Sequence, residues 1–278
     1  MPQQIEGRAV VTGASRGLGR AVALELGRRG LHVVATMRDP AVGDTLRRDA
    51  SAEGLSLEVQ RLDVTELGDW APPADLRVLV NSAGVRLQYL PVEHTELDEW
   101  HETFRTNVFG LVELTKRAIP VLRGNGGGVI CNVSSAAILL PHPFMATYRA
   151  SKAAVSALCD SLRSELAPFG IRVVEILPGP IGTDLLQDSI MVRPPEAVGH
   201  EPYRALAQRQ HEVSAASRPY VTSPADAARA IADAVFATSG PMRVGCDPVA
   251  IDQIAHWRES SDETLAAETF DRLGLTAG

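Results

Sequence analysis

Seven short apolar segments rich in β-branched residues recur along the chain, separated by helical patterns. They cover residues 9–12, 32–36, 57–62, 76–80, 129–133, 173–176 and 242–244. Their near-continuous apolarity is typical of strands that are covered on both faces. Between the first two segments, Leu18, Val22 and Leu26 lie on one face of a predicted helix. Strands that alternate with helices predict βαβ units, and therefore a doubly wound α/β domain with a mostly parallel seven-stranded sheet flanked by helices.

Residues 182–222 interrupt this alternation. The segment contains several prolines and one plausible helix near residues 201–217. Because it is longer than an ordinary connection, we interpret it as a lid over a site; a passive surface excursion is the alternative. After about residue 248 the chain exceeds what the sheet requires, and its pattern around residues 265–273 predicts an amphipathic helical extension. The pattern contains no linker-like boundary, which predicts one domain over residues 1–278.

Charge and cysteine content exclude several classes of function. The 27 basic and 34 acidic residues give a net charge of -7, so the chain has no basic field for a nucleic acid. Cys131, Cys159 and Cys246 are far apart and odd in number, which disfavours a disulfide framework and a metal site. This cysteine usage favours a reducing cytoplasm. The sequence shows no signal-peptide pattern and no apolar run of about 18 residues, so we expect no membrane insertion.

A glycine-rich turn follows the first apolar segment and opens directly into the first helix. It reads Thr12-Gly13-Ala14-Ser15-Arg16-Gly17-Leu18-Gly19. Glycines let backbone N–H groups approach a pyrophosphate closely, and the helix N-terminus adds a favourable dipole. Such turns also serve packing alone. The strand before it and the helix after it favour a phosphate-binding loop.

Tyrosine and lysine are both rare in this chain. Among four tyrosines and the two lysines at positions 116 and 152, Tyr148 and Lys152 lie four residues apart. In a helix this offset places both side chains on one face. An ammonium group beside a phenol favours the phenolate and lowers the tyrosine pKa from about 10. The pair therefore predicts a general acid/base, although a surface tyrosine with an incidental lysine is the structural alternative.

Three motifs in this order resemble the short-chain dehydrogenase/reductase family. They are the glycine-rich turn, the run Asn81-Ser82-Ala83-Gly84 and the run Tyr148-Arg149-Ala150-Ser151-Lys152, and the resemblance covers roughly residues 6–185. The chain departs from the family pattern at Ser82, where a second asparagine is usual. Smaller details resemble the 17-beta-hydroxysteroid/retinol dehydrogenase-like branch. The resemblance implies a Rossmann-type fold and an enzyme that uses a nicotinamide cofactor to interconvert a carbonyl and an alcohol.

The resemblance also implies roles for four residues. Tyr148 corresponds to the general acid/base, and Lys152 to the residue that lowers the tyrosine pKa and holds the cofactor ribose. Ser135 corresponds to the serine that hydrogen-bonds the substrate oxygen, while Ser134 faces elsewhere. Asn107 corresponds to the helix asparagine that anchors a water between the lysine and solvent.

The second apolar segment ends without the carboxylate that NAD enzymes place there. It reads Ala35-Thr36-Met37-Arg38. The guanidinium groups of Arg38 and Arg16 can bind the 2'-phosphate of a cofactor through charge-assisted hydrogen bonds, so we predict NADP(H). The alternative is that both arginines are solvated surface charges. By resemblance, Asp63 and Val64 contact adenine, Asn81 lies beside the adenosine ribose, and residues 178–183 close over the nicotinamide. The predicted cofactor contacts are Gly13, Ser15, Arg16, Gly17, Leu18, Gly19, Thr36, Arg38, Asp63, Val64, Asn81, Ala83, Gly84, Tyr148, Lys152, Pro178, Gly179, Ile181 and Thr183.

The substrate is the least determined part of the prediction. Apolar residues in the predicted lid favour a lipophilic ketone, aldehyde or alcohol of steroid, retinoid or similar type; they are Leu185, Leu186, Ile190, Met191 and Val192. A second hypothesis is a 3-oxoacyl-thioester reductase, with Arg193, Arg204 and Arg209 receiving a phosphate. A third is an NADP-sensing regulator without catalysis, which the intact set of four catalytic-type residues disfavours.

Two further expectations concern a histidine and the assembly. His142 lies between Ser135 and Tyr148, and we interpret it as an exposed loop residue instead of a part of the substrate pocket. The family resemblance implies a homodimer or homotetramer that forms through helices near residues 104–118 and 146–166.

Overall fold

The computed structural model describes residues 5–275 and contains one parallel sheet of seven strands in the order β3-β2-β1-β4-β5-β6-β7. The strands are β1 (Arg8–Val11), β2 (His32–Met37), β3 (Leu57–Arg61), β4 (Leu76–Asn81), β5 (Gly128–Val133), β6 (Ile171–Leu177) and β7 (Arg243–Gly245). All pairings between neighbours are parallel. Each strand matches one apolar segment of the sequence closely, so the predicted doubly wound α/β fold is confirmed.

Helices cover both faces of the sheet. They are α1 (Gly17–Arg28), α2 (Asp44–Ala52), α3 (Leu97–Phe104), α4 (Leu111–Gly124), α5 (Ala146–Leu166), α6 (Asp184–Gln187), α7 (Arg204–Ala215), α8 (Pro224–Phe236), α9 (Pro248–Glu259) and α10 (Asp262–Leu273). The α1 and α8 helices pack on one face, and α4 and α5 pack on the other. Neighbouring strand residues such as Val10 and Val11 therefore enter different cores. This arrangement explains why the strands read as continuous apolar runs.

Within residues 5–275, no helix has the length and apolarity to cross a membrane.

The strand order reverses between β1 and β4, which creates a crevice at the carboxyl ends of the strands. The glycine-rich turn follows β1, and the loop that begins at Ser82 follows β4. Ser134 and Ser135 follow β5, and residues 178–183 follow β6. The chain therefore brings four separate predicted motifs to the same edge of one sheet.

Residues 182–222 contain α6 and α7, and α7 matches the helix predicted near residues 201–217. The segment is attached to the loop after β4, where the Tyr89 carbonyl accepts a hydrogen bond of 3.0 Å from the Ala197 N–H. The Tyr89 N–H donates to Glu196 Oε2 at 2.9 Å. Farther along the chain, α10 buries Leu265 and Leu273 as the predicted amphipathic helix.

Candidate active site

The glycine-rich turn forms a cradle that larger residues would fill. Gly13 has a φ of +67°, and a Cβ built there would lie 2.8 Å from the Ala83 Cα. A Cβ at Gly19 would lie 2.4 Å from the Gly13 carbonyl oxygen. The N-cap residue of α1, Arg16, makes no side-chain cap to the first turn. The first N–H groups of this helix are therefore left for an anionic ligand, which fits a pyrophosphate.

One cavity of about 510 Å³ joins this cradle to the predicted catalytic residues. Most residues that the sequence assigned to the site line it: Gly13, Ser15, Arg16, Gly17, Leu18, Gly19, Arg38, Asp63, Val64, Ala83, Gly84, Ser135, Tyr148, Lys152, Pro178, Gly179, Ile181 and Thr183. A cavity of this volume is within the range of small-molecule and cofactor sites.

Thr36 and Asn81 are not among the residues that line the cavity, and their assignment as cofactor contacts stays a prediction. Thr36 is buried, and its hydroxyl donates to the Val11 carbonyl oxygen at 3.2 Å. The Asn81 amide donates to Asn132 Oδ1 at 2.8 Å and to Thr115 at 3.3 Å. The Thr36 hydroxyl and the Asn81 N–H groups are thus bonded inside the sheet, whereas the buried Asn81 Oδ1 has no hydrogen-bond partner among the described residues.

Tyr148 and Lys152 lie on one face of α5, as their spacing predicted. Their exposed fractions are 9% and 6%. The Lys152 Nζ lies 5.9 Å from the centroid of the Tyr148 ring and donates to the Val133 carbonyl oxygen at 2.8 Å. Burial lowers the pKa of the Lys152 ammonium group from its ordinary value, and the neighbouring Tyr148 opposes this shift. A desolvated cation beside a phenol stabilises negative charge on the phenolic oxygen.

Ser134 and Ser135 have different partners. The Ser134 hydroxyl donates to the Lys152 carbonyl oxygen at 3.1 Å and so holds α5 against β5. Ser135 Oγ accepts a hydrogen bond of 3.2 Å from the Ala137 N–H. Because Oγ acts as an acceptor in that bond, its own proton is left to donate to a ligand in the cavity.

Asn107 lies in a π-helical turn, Arg105–Gly110, that joins α3 to α4. Its Oδ1 accepts from the Val85 N–H at 2.8 Å, and its Nδ2 donates to the Val85 carbonyl oxygen at 2.9 Å and to Ser151 Oγ at 3.0 Å. A Cβ at Gly84 would lie 3.2 Å from Asn107 Oδ1 and 3.5 Å from Lys152 Nζ. The amide therefore fixes the loop after β4 directly behind the lysine instead of entering the cavity.

The two arginines predicted to bind a 2'-phosphate, Arg16 and Arg38, both line the cavity. Arg38 is exposed at the cavity edge and has no carboxylate partner within residues 5–275. Arg16 is 76% exposed and lies 3.4 Å from Asp184. An exposed pair of this kind is weak, so Arg16 can turn to an incoming anion at little cost.

Asp63 lies nearby on the cavity wall. Partial burial acts to raise the pKa of its carboxyl group. Hydrogen bonds from the Thr65 N–H at 2.9 Å and from the Thr65 hydroxyl at 2.8 Å outweigh that effect. With the charges of Arg38 and Arg61, they hold the pKa of Asp63 below its ordinary value. Asp63 therefore stays ionised and oriented as a hydrogen-bond acceptor.

His142 lines the cavity, so its interpretation as an exposed loop residue is wrong. Burial, together with the charges of Arg149 and Arg272, lowers the pKa of its imidazole from 6.5 to about 4. His142 is therefore neutral at physiological pH. Local sequence gave no sign of this environment, because Arg272 is 130 positions further along the chain.

We expect the unfolding free energy of an H142N variant to fall less steeply than that of the wild type as the pH decreases below 7. In the unfolded chain the His142 imidazole binds a proton near the ordinary histidine pKa of 6.5. In the folded protein it binds a proton only near pH 4. Stability linked to His142 is therefore present at neutral pH and lost as the pH falls through this window. Between about pH 7 and pH 5, the wild type should lose about 1 to 2 kcal/mol more unfolding free energy than H142N in denaturant titrations.

The exposed His101 on α3 supplies a matched control, because H101N makes the same chemical change away from the cavity. Equal pH dependence in the wild type and H142N would contradict the environment assigned to His142.

Sequence reasoning missed several cavity residues that come from the loop after β4, from the residue before α5, from α7 and from the C-terminal helices. They include Arg86, Tyr89, Met145, Gln210, Val213, Val249, Gln253, Thr269, Arg272 and Leu273. Only Arg86 had a usable signal, because it lies two positions after the Asn81-Ser82-Ala83-Gly84 run. Its guanidinium donates to the Leu185 carbonyl oxygen, and its Cζ lies 5.1 Å from the Tyr89 ring centroid and 5.9 Å from that of Tyr148.

A parallel sheet with a glycine cradle at its switch point, joined by one cavity to a buried Tyr–Lys pair, defines a nucleotide-dependent oxidoreductase. The family model for short chain dehydrogenases matches residues 8–191. The chain belongs to the short-chain dehydrogenase/reductase family.

Similar proteins include relatives in two bacteria. The uncharacterized oxidoreductase YusZ of Bacillus subtilis is 36% identical over 198 residues, which cover 66% of this chain and 68% of YusZ. The 3beta-hydroxysteroid dehydrogenase 1 of Eggerthella lenta is 34% identical over 244 residues, which cover 84% of this chain and 88% of that protein.

A solved structure has a similar fold. It is a short chain dehydrogenase from Burkholderia cenocepacia in complex with NADP, with a TM-score of 0.72 and 27% identity. The match covers 99% of this chain and 100% of that one. The family-level resemblance drawn from the three sequence motifs is therefore confirmed.

Proposed function

We propose that this protein is an NADP(H)-dependent oxidoreductase that interconverts a ketone or aldehyde and an alcohol on an apolar small molecule. The observation that carries this proposal is that Ser135, Tyr148 and Lys152 line the same cavity as the glycine cradle. A proton donor, an oxygen-binding hydroxyl and a cation are the groups that carbonyl reduction requires beside a hydride source.

When bound, the nicotinamide cofactor supplies or accepts the hydride. In the reductive direction, the Tyr148 hydroxyl gives its proton to the carbonyl oxygen of the substrate as that carbon gains the hydride. The Ser135 hydroxyl donates a hydrogen bond to the same oxygen and stabilises the charge that develops there. In the oxidative direction, the Tyr148 phenolate takes the proton from the alcohol.

Lys152 and Asn107 support this proton transfer. The ammonium group, held by the Val133 carbonyl oxygen, stabilises the phenolate that remains after Tyr148 has given up its proton. Its other N–H donors are available for the cofactor ribose. The Asn107 amide holds the neighbouring loop in place, and we retain the prediction that its helix turn carries a water chain from Lys152 to solvent.

We propose NADP(H) as the preferred cofactor because β2 leads to the exposed Arg38 and Arg16 stands across the cradle. A similar structure contains NADP, which supports this choice. Two guanidinium groups bind a 2'-phosphate strongly and gain nothing from a free 2'-hydroxyl.

An R38A variant should therefore lose affinity for NADPH selectively. The charge-assisted hydrogen bonds that disappear correspond to a roughly tenfold to hundredfold increase in the NADPH dissociation constant, with little change for NADH. Fluorescence titration of each cofactor measures the effect. R48A is the matched control, since Arg48 is exposed on α2 and does not line the cavity. Equal losses for both cofactors would argue against a 2'-phosphate contact.

The apolar substrate hypothesis agrees with the lining of the cavity beyond Tyr148. Leu185, Leu186, Ile190 and Met191 from the predicted lid all line it. The segment is bonded to the loop after β4 through Arg86 and Tyr89, which supports the prediction that it covers the site. The steroid dehydrogenase of Eggerthella lenta among the relatives also favours a lipophilic substrate.

The thioester hypothesis has less support than the apolar one from the lining of the cavity. Arg193 pairs with Asp188 at 3.0 Å, Arg204 pairs with Glu201, and Arg209 pairs with Glu212 at 3.3 Å. None of the three arginines is among the residues that line the cavity.

A crossed screen tests the function. NADPH and NADH are each combined with a panel of lipophilic ketones, aldehydes and an acetoacetyl thioester, and absorbance at the nicotinamide band reports turnover. We expect turnover with NADPH and lipophilic carbonyls. Tight NADPH binding with no turnover on any member would instead favour the regulator hypothesis.

We also propose that the protein is a homodimer or homotetramer. Phe109 next to α4 is 63% exposed, and Ala153 and Ala157 on α5 are exposed small residues that permit close approach of a second copy. Light scattering coupled to size exclusion reports the assembly.

A further inference from the structure

Arg86, in the loop after β4, brings a guanidinium group beside the ring of Tyr148. Its Cζ lies 5.9 Å from the Tyr148 ring centroid, which is also the distance of the Lys152 Nζ from that centroid. Because Tyr148 is only 9% exposed, solvent screens these charges less than it would at the surface. Two positively charged groups, one from the loop after β4 and one from α5, therefore lie beside the same phenol.

Contacts with the predicted lid hold Arg86 in this position. Its guanidinium donates to the carbonyl oxygen of Leu185 on α6, and its Cζ lies 5.1 Å from the Tyr89 ring centroid. Tyr89 is 3% exposed and packs in one apolar cluster with Ile190 and Ala197 of the lid. The place of the Arg86 charge therefore depends on the lid lying where the structure has it.

No carboxylate neutralises this charge. Within the described part of the chain Arg86 makes no ion pair, whereas Arg16 on the wall of the same cavity pairs with Asp184. The Arg86 Nε is buried and has no hydrogen-bond partner among the described residues. Burial raises the pKa of the Tyr89 phenol against the opposing charge of Arg86, so Tyr89 stays neutral. The charge of Arg86 is therefore left to act on Tyr148.

Other titratable groups line the cavity from elements around Tyr148. Glu102 belongs to α3, His142 precedes α5, and Asp184 belongs to α6. Glu102 is exposed, His142 is neutral at physiological pH, and Asp184 is paired with Arg16. Because these groups are screened, neutral or paired, the two cations beside the phenol dominate its electrostatic surroundings.

We propose that Arg86 is a second positive charge that stabilises the Tyr148 phenolate, and that the predicted lid holds it beside the phenol. The inference rests on the proposed function, in which Tyr148 transfers the proton, and Arg86 acts through Tyr148 as a positioning residue. One charge at about 6 Å in a partly buried site shifts a protonation equilibrium by roughly tenfold. Because the lid supplies contacts that hold Arg86, proton transfer is coupled to the lid being in place.

The titration of Tyr148 tests this charge without turnover. NMR of ¹³Cζ-labelled tyrosine is recorded against pH for the wild type, R86Q, R86M and R86K, and the Y148F form of each protein assigns the Tyr148 signal among the four tyrosines. We expect R86Q and R86M to raise the pH at which Tyr148 loses its proton by about one unit. R86K should recover part of this shift, because it keeps the charge without the planar group.

Arg123 on α4 supplies the matched control. Its Cζ lies 5.1 Å from the Phe169 ring centroid, and Arg123 is not among the residues that line the cavity. R123Q removes the same charge and the same kind of aromatic contact, so the titration of Tyr148 should match that of the wild type. R86M repeats the test with an apolar side chain should R86Q fail to fold.

Kinetics distinguish this role from a merely structural one. In alcohol oxidation with NADP⁺, kcat/KM rises with pH as the phenolate forms. R86Q should move the midpoint of that rise up by about one pH unit and lower kcat at pH 7 about tenfold, with the NADPH dissociation constant unchanged. R123Q should leave all three quantities at their wild-type values.

Two results would overturn the inference. One is a Tyr148 titration that is the same in the wild type, R86Q and R86M. The other is a higher KM in R86Q with an unmoved pH profile, which would mean that Arg86 only holds the lid. Absence of turnover in the wild type, with the difference in Tyr148 titration intact, would overturn only the proposed function.

Discussion

Replacing Tyr148 with Phe should reduce kcat by about a hundredfold to ten-thousandfold, which is the usual contribution of a positioned general acid. The change removes one oxygen atom and leaves the aromatic ring against Lys152 and Arg86. NADPH affinity should remain nearly unchanged, because the cradle and the arginines that bind the nucleotide are untouched. Stopped-flow reduction of the best ketone in the screen, together with fluorescence titration of NADPH, measures both quantities.

Tyr220 supplies the matched control for this variant. Its side chain is 65% exposed and lies outside the cavity wall, so Y220F should behave as the wild type. If Y148F kept a turnover number close to that of Y220F, Tyr148 would not be the proton donor. An equal loss of NADPH binding and turnover would point instead to a disturbed cofactor site.

Replacing Lys152 with Met should lower kcat by about a hundredfold and weaken NADPH binding as well. The lysine supplies the positive charge beside the phenol and the donors that we assign to the cofactor ribose, so both steps depend on it. K152R should recover little activity, because the planar guanidinium is wider than the ammonium group that the buried site encloses. Single-turnover kinetics and NADPH titrations on both variants separate these contributions.

The chain offers its other lysine as the control. Lys116 on α4 is 68% exposed and lies 3.1 Å from Glu113, so K116M and K116R should match the wild type. K152M should unfold at nearly the wild-type denaturant concentration, because removing a desolvated cation offsets the lost hydrogen bond to Val133. Full activity in K152R would contradict the geometric requirement for lysine.

The strands were predictable from local sequence because a strand of a parallel sheet that is covered on both faces consists almost entirely of apolar residues. In β4, Val78 and Val80 enter one core while Leu76 and Leu79 enter the other, so the segment is largely apolar. The Tyr148–Lys152 pair was equally predictable, because a four-residue offset on a helix fixes the relative position of two side chains whatever else the fold does.

The partners of individual polar groups were less predictable. Thr36 and Asn81 occupy the positions in the sequence that a cofactor contact would occupy, yet their side chains turn into the sheet to satisfy buried groups. His142 has no local feature that distinguishes a cavity residue from a surface residue. Its environment depends on Arg149 and on Arg272, which the chain brings near only after the last helix has packed.

By itself the sequence determined the parallel α/β fold, the glycine cradle and the placement of Tyr148 and Lys152 on one helix face, because each depends on residues close together in the chain or on a repeating pattern. Only the tertiary structure decided which side chains surround the substrate, because that end of the cavity is built from the loop after β4, α7, α9 and α10. Contacts between such distant segments depend on how helices pack, and local patterns do not encode that geometry. Short motifs therefore indicate the class of reaction, whereas the shape and charge of the rest of the cavity depend on long-range packing.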